Sequence, residues 1–240
     1  MTNFKLALRT LFRTPFVTSV AILSLALGIG ANAAIFSIFN QMLLSQLPVQ
    51  EPDRLVNFWS PGPRQGSTSC NQAGDCDHVF SYPMFRDLQK MQGAFTDVAA
   101  HVSFGANLAF AGQTVSGEGM LGSGSYFPVL GVQSAVGRLI SPADDQKVGE
   151  SPVVVLSHAY WTSRFGQRGD VINQTMVVNG QTLTIVGVAP QGFEGTTLGS
   201  KPEVFVPMTL RAQMQPGFTG LDAGAVKWPR VSRSAQTGSS

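Results

Sequence analysis

The chain reads as α+β: an N-terminal helix long enough to span a membrane, then an exported domain in which strands and helices mix without regular alternation. Two observations predict this. No charged residue lies between Arg13 and Glu51, and segment 17–39 is almost wholly Ala, Ile, Leu, Val, Gly and Phe, where roughly 20 apolar residues suffice to cross a bilayer. Downstream, short β-branched runs bounded by Gly, Pro and Asn are interspersed with a few helical periods, the pattern of an α+β domain rather than of a doubly wound sheet.

In segment 1–15, at 100° per residue, Phe4, Leu8, Leu11 and Phe12 fall on one side and Lys5, Arg9 and Arg13 on the other. The spacing predicts an amphipathic elbow helix lying on the membrane surface, separated by Pro15 from the spanning segment 16–46. The basic residues before the apolar run place the N-terminus in the cytoplasm and everything after Glu51 outside it. A secretory signal peptide is the competing reading, with 17–29 as its core and Ala31-Asn32-Ala33 as its cleavage site. Ala34-Ile35-Phe36-Ser37-Ile38-Phe39 and then Met42-Leu43-Leu44 carry the apolar run past such a core and favour the anchor. Either way the remainder is exported. Within the span, Gly28, Gly30 and Ala34 are small enough to let another helix approach, and Asn32 and Asn40 are costly to leave facing lipid.

Charge divides unevenly along the chain. Of 16 Lys and Arg, three precede the anchor, which leaves 13 against 14 acidic residues in the exported part. The basic balance therefore belongs to the cytoplasmic tail, and a nucleic-acid partner is not expected. With 43% apolar residues, segment 51–210 can bury the core of one ordinary domain or of two small subdomains. The two cysteines, Cys70 and Cys76, lie in a loop-like stretch rich in Gly, Ser, Asn and Asp. In an oxidising compartment a local disulfide is the natural reading. A metal site with Asp75, Asp77 and His78 around Cys76 is the alternative, and it lacks the second ligand pair that zinc sites usually show.

The exported elements follow in order. Segment 54–59 reads as a strand. Segment 82–91 has helical spacing, with Met84, Leu88 and Met91 facing inward and Arg86, Asp87 and Lys90 facing water. Strands are predicted at 95–102 and 115–121, then a short helix over 125–130 stopped by Gly131. Val153-Val154-Val155-Leu156 is a buried strand leading into a helix capped by Ser157, with Tyr160, Trp161 and Phe165 as its apolar face. Met176-Val177-Val178, the turn Asn179-Gly180 and segment 182–188 form the clearest hairpin. Val204-Phe205-Val206 is a last strand, and 211–240 reads as a tail without structure.

Catalytic signatures are lacking. No G-x-x-x-x-G-K-[ST] loop occurs, so ATP has to be bound elsewhere. Gly117-Glu118-Gly119-Met120-Leu121-Gly122 fits G-x-G-x-x-G, but Ser123-Gly124-Ser125 opens no long helix, and these glycines are read as strand and turn residues. His78, His101 and His158 are far apart, and His158 beside a helix start is a packed or capping residue. No G-x-S-x-G elbow is present. An enzyme is the default runner-up; no catalytic residue, cofactor or metal ligand is assigned.

In this order, a set of motifs resembles the MacB/FtsX-type permease subunits of ABC transporters, of the acidobacterial duplicated orphan type. They are Leu8-Arg9-Thr10-Leu11-Phe12-Arg13-Thr14-Pro15, the anchor Leu25-Ala26-Leu27-Gly28-Ile29-Gly30-Ala31-Asn32-Ala33-Ala34-Ile35-Phe36, Pro52-Asp53-Arg54-Leu55-Val56, Ser125-Tyr126-Phe127-Pro128-Val129-Leu130-Gly131-Val132, Gly137-Arg138, Val154-Val155-Leu156-Ser157 with Trp161 and Arg164-Phe165, Asn179-Gly180, Val186-Gly187-Val188-Ala189-Pro190 and Gly192-Phe193. The resemblance covers roughly 5–210 and rests on the ordered set rather than on any one motif.

It implies a first transmembrane helix followed by a MacB-like periplasmic core domain of two α+β subdomains in the bacterial inner membrane. Such a domain performs no chemistry. It follows the motion of a separate cytoplasmic ABC ATPase, transmitting it to lipoproteins, peptides, drugs or a cell-wall hydrolase partner, in efflux or mechanotransmission. Lys5, Arg9 and Arg13 would form the elbow that meets the ATPase. Membrane lipid, a second permease copy or an extracytoplasmic protein are the further partners implied. The family continues into additional membrane helices, whereas 211–240 holds no apolar stretch, and a truncated or frame-shifted reading frame is expected to account for this. A membrane-tethered binding module without energy coupling is the alternative function.

Overall fold

The computed structural model describes residues 15–39, 49, 51–58, 80–91, 95–197, 199–216, 227–228 and 231–234. Helix α1 (Pro15–Phe39) contains 25 residues and no charge. At 1.5 Å per residue it is about 37 Å long, more than the roughly 30 Å of a bilayer's hydrocarbon core. Among the described residues it is the one helix long and apolar enough to cross a membrane. The chain divides into two units, Met1–Gln46 and Leu47–Ser240.

The second unit contains, in order, β1 (Leu55–Asn57), β2 (Phe80–Ser81), α2 (Tyr82–Lys90), β3 (Asp97–Phe110), β4 (Gln113–Gly122), α3 (Tyr126–Leu130), β5 (Val136–Gly137), β6 (Val153–Leu156), α4 (His158–Phe165), β7 (Thr175–Val178), β8 (Gln181–Val188), β9 (Val204–Pro207), α5 (Arg211–Met214), β10 (Lys227–Trp228) and β11 (Val231–Ser234). Mixed strands and helices follow the apolar helix, as the sequence predicts. The two expected subdomains share one continuous nine-stranded sheet.

Six strands of that sheet close into a ring, β3-β4-β9-β6-β8-β7 and back to β3. The β4–β9 and β6–β8 pairs are parallel and the other four antiparallel. Closure turns one face of every strand inward. Phe104, Leu108, Leu121, Val154, Leu156, Val178, Ile185 and Val206 meet there in a single buried cluster, joined by Tyr160, Trp161 and Phe165 of α4. On the outer face, Phe127 of α3 packs against Phe193 and Phe205 at ring-centre distances of 5.8 and 5.3 Å, and Met120, Leu130 and Val155 complete this second cluster.

Glycine makes two close approaches possible. Gly119 faces into the ring, where the Phe104 ring occupies the place of a Cβ, so the Gly-rich motif of β4 is a packing device. Gly187, where β5 crosses β8, lies so close to the Arg138 carbonyl that any Cβ would overlap backbone.

Several expectations are corrected. The strand predicted at 95–102 runs on to Phe110 and turns back through Ala111 and Gly112, both at positive φ. That tight hairpin escaped prediction because Gly105 and Asn107 depress strand propensity while cross-strand pairing restores it. Helix α2 buries Tyr82 and Phe85 with Leu88 partly buried, whereas Met84 and Met91 are 49% and 63% exposed. The bulkier rings at i and i+3 win the core-facing positions. Within 211–240, α5 buries Arg211 and Met214, and β11 inserts between β1 and β3.

A buried polar joint fastens the outer layer. Asp144 accepts two hydrogen bonds from Arg138, at 2.6 and 2.8 Å, and bonds from the Ser141 amide and hydroxyl at 3.0 and 2.8 Å. Adjacent Asp145 accepts the amides of Gly124 and Thr209, each at 2.9 Å, joining the turn after β4 to the 3-10 turn Met208–Leu210. Burial works against ionisation of Asp144, but the hydrogen bonds from Arg138 and Ser141 prevail and lower its pKa. At Asp145 desolvation prevails over the two amides, and the pKa is raised.

A lowered carboxyl pKa adds stability above the unfolded value and loses it as pH falls through the folded one; a raised pKa acts in the opposite sense. Because Arg138 is half exposed, its ion pair is screened and the hydrogen bonds carry most of the effect. Asp144→Asn is expected to cost about 1–2 kcal/mol at neutral pH, and the gap to wild type should close below about pH 4, measured by urea titration of the full chain in detergent. In the same assay Gly187→Ala should lose about 3 kcal/mol or fail to fold. Gly105→Ala, where an added Cβ meets nothing within 4 Å, should change stability by no more than about 0.5 kcal/mol.

Candidate functional site

Lys5, Arg9, Arg13, Cys70 and Cys76 lie outside the described residues, as do Asp75, Asp77 and His78 of the metal alternative. Gly28, Gly30 and Ala34 lie on α1 and are exposed, and a Cβ at either glycine would meet nothing within 4 Å. Among the described residues no three His, Cys, Asp or Glu side chains gather into a metal site.

The two described histidines, His101 and His158, are packed against neighbouring rings and hydroxyls. His101 is buried, with Nε2 3.1 Å from the Thr197 hydroxyl and its ring 5.4 Å from that of Tyr126. His158 opens α4, its Nδ1 3.4 Å from the Thr162 hydroxyl and its ring 5.5 Å from the Trp161 ring. The neighbouring Ser157 hydroxyl accepts the Tyr160 amide at 3.2 Å, as an N-cap should. That hydroxyl is committed to the helix end, and no hydrogen bond links it to His158.

An open groove of about 690 Å³ lies in the second unit. Helix α4 supplies His158, Thr162, Ser163 and Arg164 to its walls, β4 supplies Val115 and Ser116, and the approach to β9 supplies Lys201, Pro202 and Glu203. Lys201 pairs with Glu194 at 3.2 Å. The Glu203 carboxylate accepts the Glu118 amide at 2.6 Å and lies 2.7 Å from where a Cβ of Gly117 would stand. Burial raises the pKa of Tyr160, which feels Arg164 and Glu203 in opposite senses. Hydroxyls, the Lys201–Glu194 pair and Arg164 stand beside Val115, Tyr160 and Phe193; among the described residues no nucleophile, base and orienting carboxylate converge there.

Sequence reasoning did not assemble this groove. Its walls come from segments 115–116, 157–167, 191–194 and 201–203, which ring closure brings together from far along the chain. One local signal was readable: Pro202 keeps β9 short, while the strand-like pattern of β4 runs longer.

Comparison with known proteins places this architecture. In fold the chain is similar to the periplasmic region of MacB from Actinobacillus actinomycetemcomitans, with TM-score 0.55 and 15% identity over 78% of this chain and 76% of that one. It is likewise similar to the extracellular domain of the noncanonic ABC-type transporter YknZ from Gram-positive bacteria, with TM-score 0.53 and 14% identity over 77% and 84%. Among curated proteins there is no significant match. The sequence model of the MacB-like periplasmic core domain matches residues 18–229, from within α1 to β10, and the chain belongs to that family.

Proposed function

We propose that the chain acts as a permease-type, non-catalytic subunit of an ABC transporter, whose exported domain follows motion driven by a separate cytoplasmic ATPase. The observation that carries this reading is the continuity of the family match, which begins inside the apolar helix α1 and runs through the exported domain. The charge pattern supports an N-terminus in the cytoplasm, with Lys5, Arg9 and Arg13 on the elbow that meets the ATPase. Gly28, Gly30 and Ala34 would seat a second membrane helix, from a second copy or another subunit. The domain limits 1–15, 16–46 and 51–210 and a Cys70–Cys76 disulfide belong to the same reading.

Coupling requires the two nucleotide states to favour different arrangements of the membrane helices, since a ligand shifts an equilibrium only by its differential affinity for the two states. A closed, densely packed ring suits such a device because it is displaced as a body rather than deformed. The groove supports the second reading, a tethered binding module without energy coupling.

Solubilised full-length chain is expected to co-purify with a P-loop ATPase from its native membrane. The double variant Arg9→Glu, Arg13→Glu, correctly inserted, should retain at least about tenfold less of it, the loss expected when charge-assisted contacts are reversed. Undiminished retention would remove the coupling reading of the elbow.

A further inference from the structure

Strand β4 is longer on one side than its neighbour. It pairs with β3 from Phe110↔Gln113 to His101↔Gly122, but with β9 only from Gly119↔Val204 to Gly122↔Pro207. Glu118 shows which main-chain groups face the shorter neighbour: its N–H donates to the Glu203 carboxylate at 2.6 Å, and its C=O accepts the Glu203 N–H at 2.8 Å. With the two-residue period of a strand, Thr114 and Ser116 turn their N–H and C=O the same way. Asn107, opposite Ser116, has the same alternation on its own outer side: its amide donates to the Asn179 side chain at 2.7 Å and its carbonyl accepts the Asn179 N–H at 3.0 Å.

Among the described residues nothing pairs with the outward main-chain groups of Thr114 and Ser116. Both residues are exposed, and Ser116 lines the groove. From Gln113 to Ser116, four residues paired with β3 but with no ladder partner on the β9 side, at roughly 3.3 Å each, offer an edge about 13 Å long. Edges left open in this way are usually blunted by Lys, Pro or a bulge. Gln113-Thr114-Val115-Ser116-Gly117 carries no charge and no proline, and its register with β3 is unbroken.

We infer that this edge is a docking site for an extended polypeptide segment of another protein, which adds as a strand beside β4 where β9 leaves off. Thr114 and Ser116 supply the main-chain hydrogen bonds, and the groove takes alternate side chains. Arg164 lines the same groove and has no ion pair among the described residues, so the segment carries an acidic residue facing it. This inference holds whether or not the chain couples to an ATPase.

The test is amide hydrogen exchange on the full chain in lipid nanodiscs, with a synthetic octapeptide of alternating threonine and valine bearing one central aspartate, at millimolar concentration. The Thr114 and Ser116 amides should exchange fast in the free protein and slow by about tenfold or more with peptide, the effect of one main-chain hydrogen bond. The same peptide with alternate amides N-methylated should give no slowing. Ser116→Pro removes an N–H that lies outside the β3–β4 ladder, so it should fold and bind the peptide at least about tenfold more weakly. Ser116→Ala should bind as wild type, and Arg164→Ala more weakly. Absence of slowing, equal slowing by the N-methylated peptide, or wild-type binding by folded Ser116→Pro would overturn the inference.

Discussion

The ring closes at its shortest ladder, between β3 and β7, and the Asn179 side chain reinforces that joint. Asn179 stands at a φ of 48° in the turn between β7 and β8. Its side-chain oxygen accepts the Asn107 amide at 2.7 Å, and its NH₂ donates to the carbonyls of Gly105 at 3.0 Å and Met214 at 2.7 Å. The strands it joins are otherwise held by the pairs Leu108↔Val178 and Ala109↔Val177 and by the Asn179 main-chain N–H, which donates to the Asn107 carbonyl at 3.0 Å. Without the Asn179 side chain the Asn107 amide and the Gly105 carbonyl would lose their partners where β7 ends, at the cost of leaving main-chain polar groups unpaired. The same residue therefore seals the ring and fastens α5 to it.

Once the ring is closed, the remaining features follow from differences in strand length. A closed sheet has no edges except where one strand outruns its neighbour. Here β4 outruns β9, α4 flanks the gap, and the groove is what remains. Gly117 and Gly119 leave room on the inner face for the Glu203 carboxylate and the Phe104 ring. Where β4 outruns β9, the outward main-chain groups of Thr114 and Ser116 have no partner among the described residues.

Local signals were legible in the sequence where the physics is local. A charge-free apolar run identifies α1, Ser157 caps α4, and Asn179-Gly180 marks a two-residue turn whose positive φ values few other pairs tolerate. What escaped depends on distant partners. Strand β3 continues through Gly105 and Asn107 because β4 and β7 pair with it, not because those residues favour strands. The inward face of α2 is set by the volumes of Tyr82 and Phe85 rather than by the periodicity of its methionines. Strands β10 and β11 take their structure from β1, β2 and β3, which a composition rich in Ser, Gly and Gln does not announce. The groove was the least legible feature, since its walls come from 115–116, 157–167 and 191–203, which no short window of sequence spans.

Native-state hydrogen exchange of the full chain, compared between wild type and Asn179→Ala, tests the closed ring most directly. The account predicts that the ladder amides of β3, β4, β6, β7, β8 and β9 share one opening free energy in the wild type and are weakened together by the substitution. If the amides of β7 and β8 open at a lower free energy than those of β3 and β4, or alone respond to Asn179→Ala, the strands do not form one cooperative ring and the rigid-body account is contradicted.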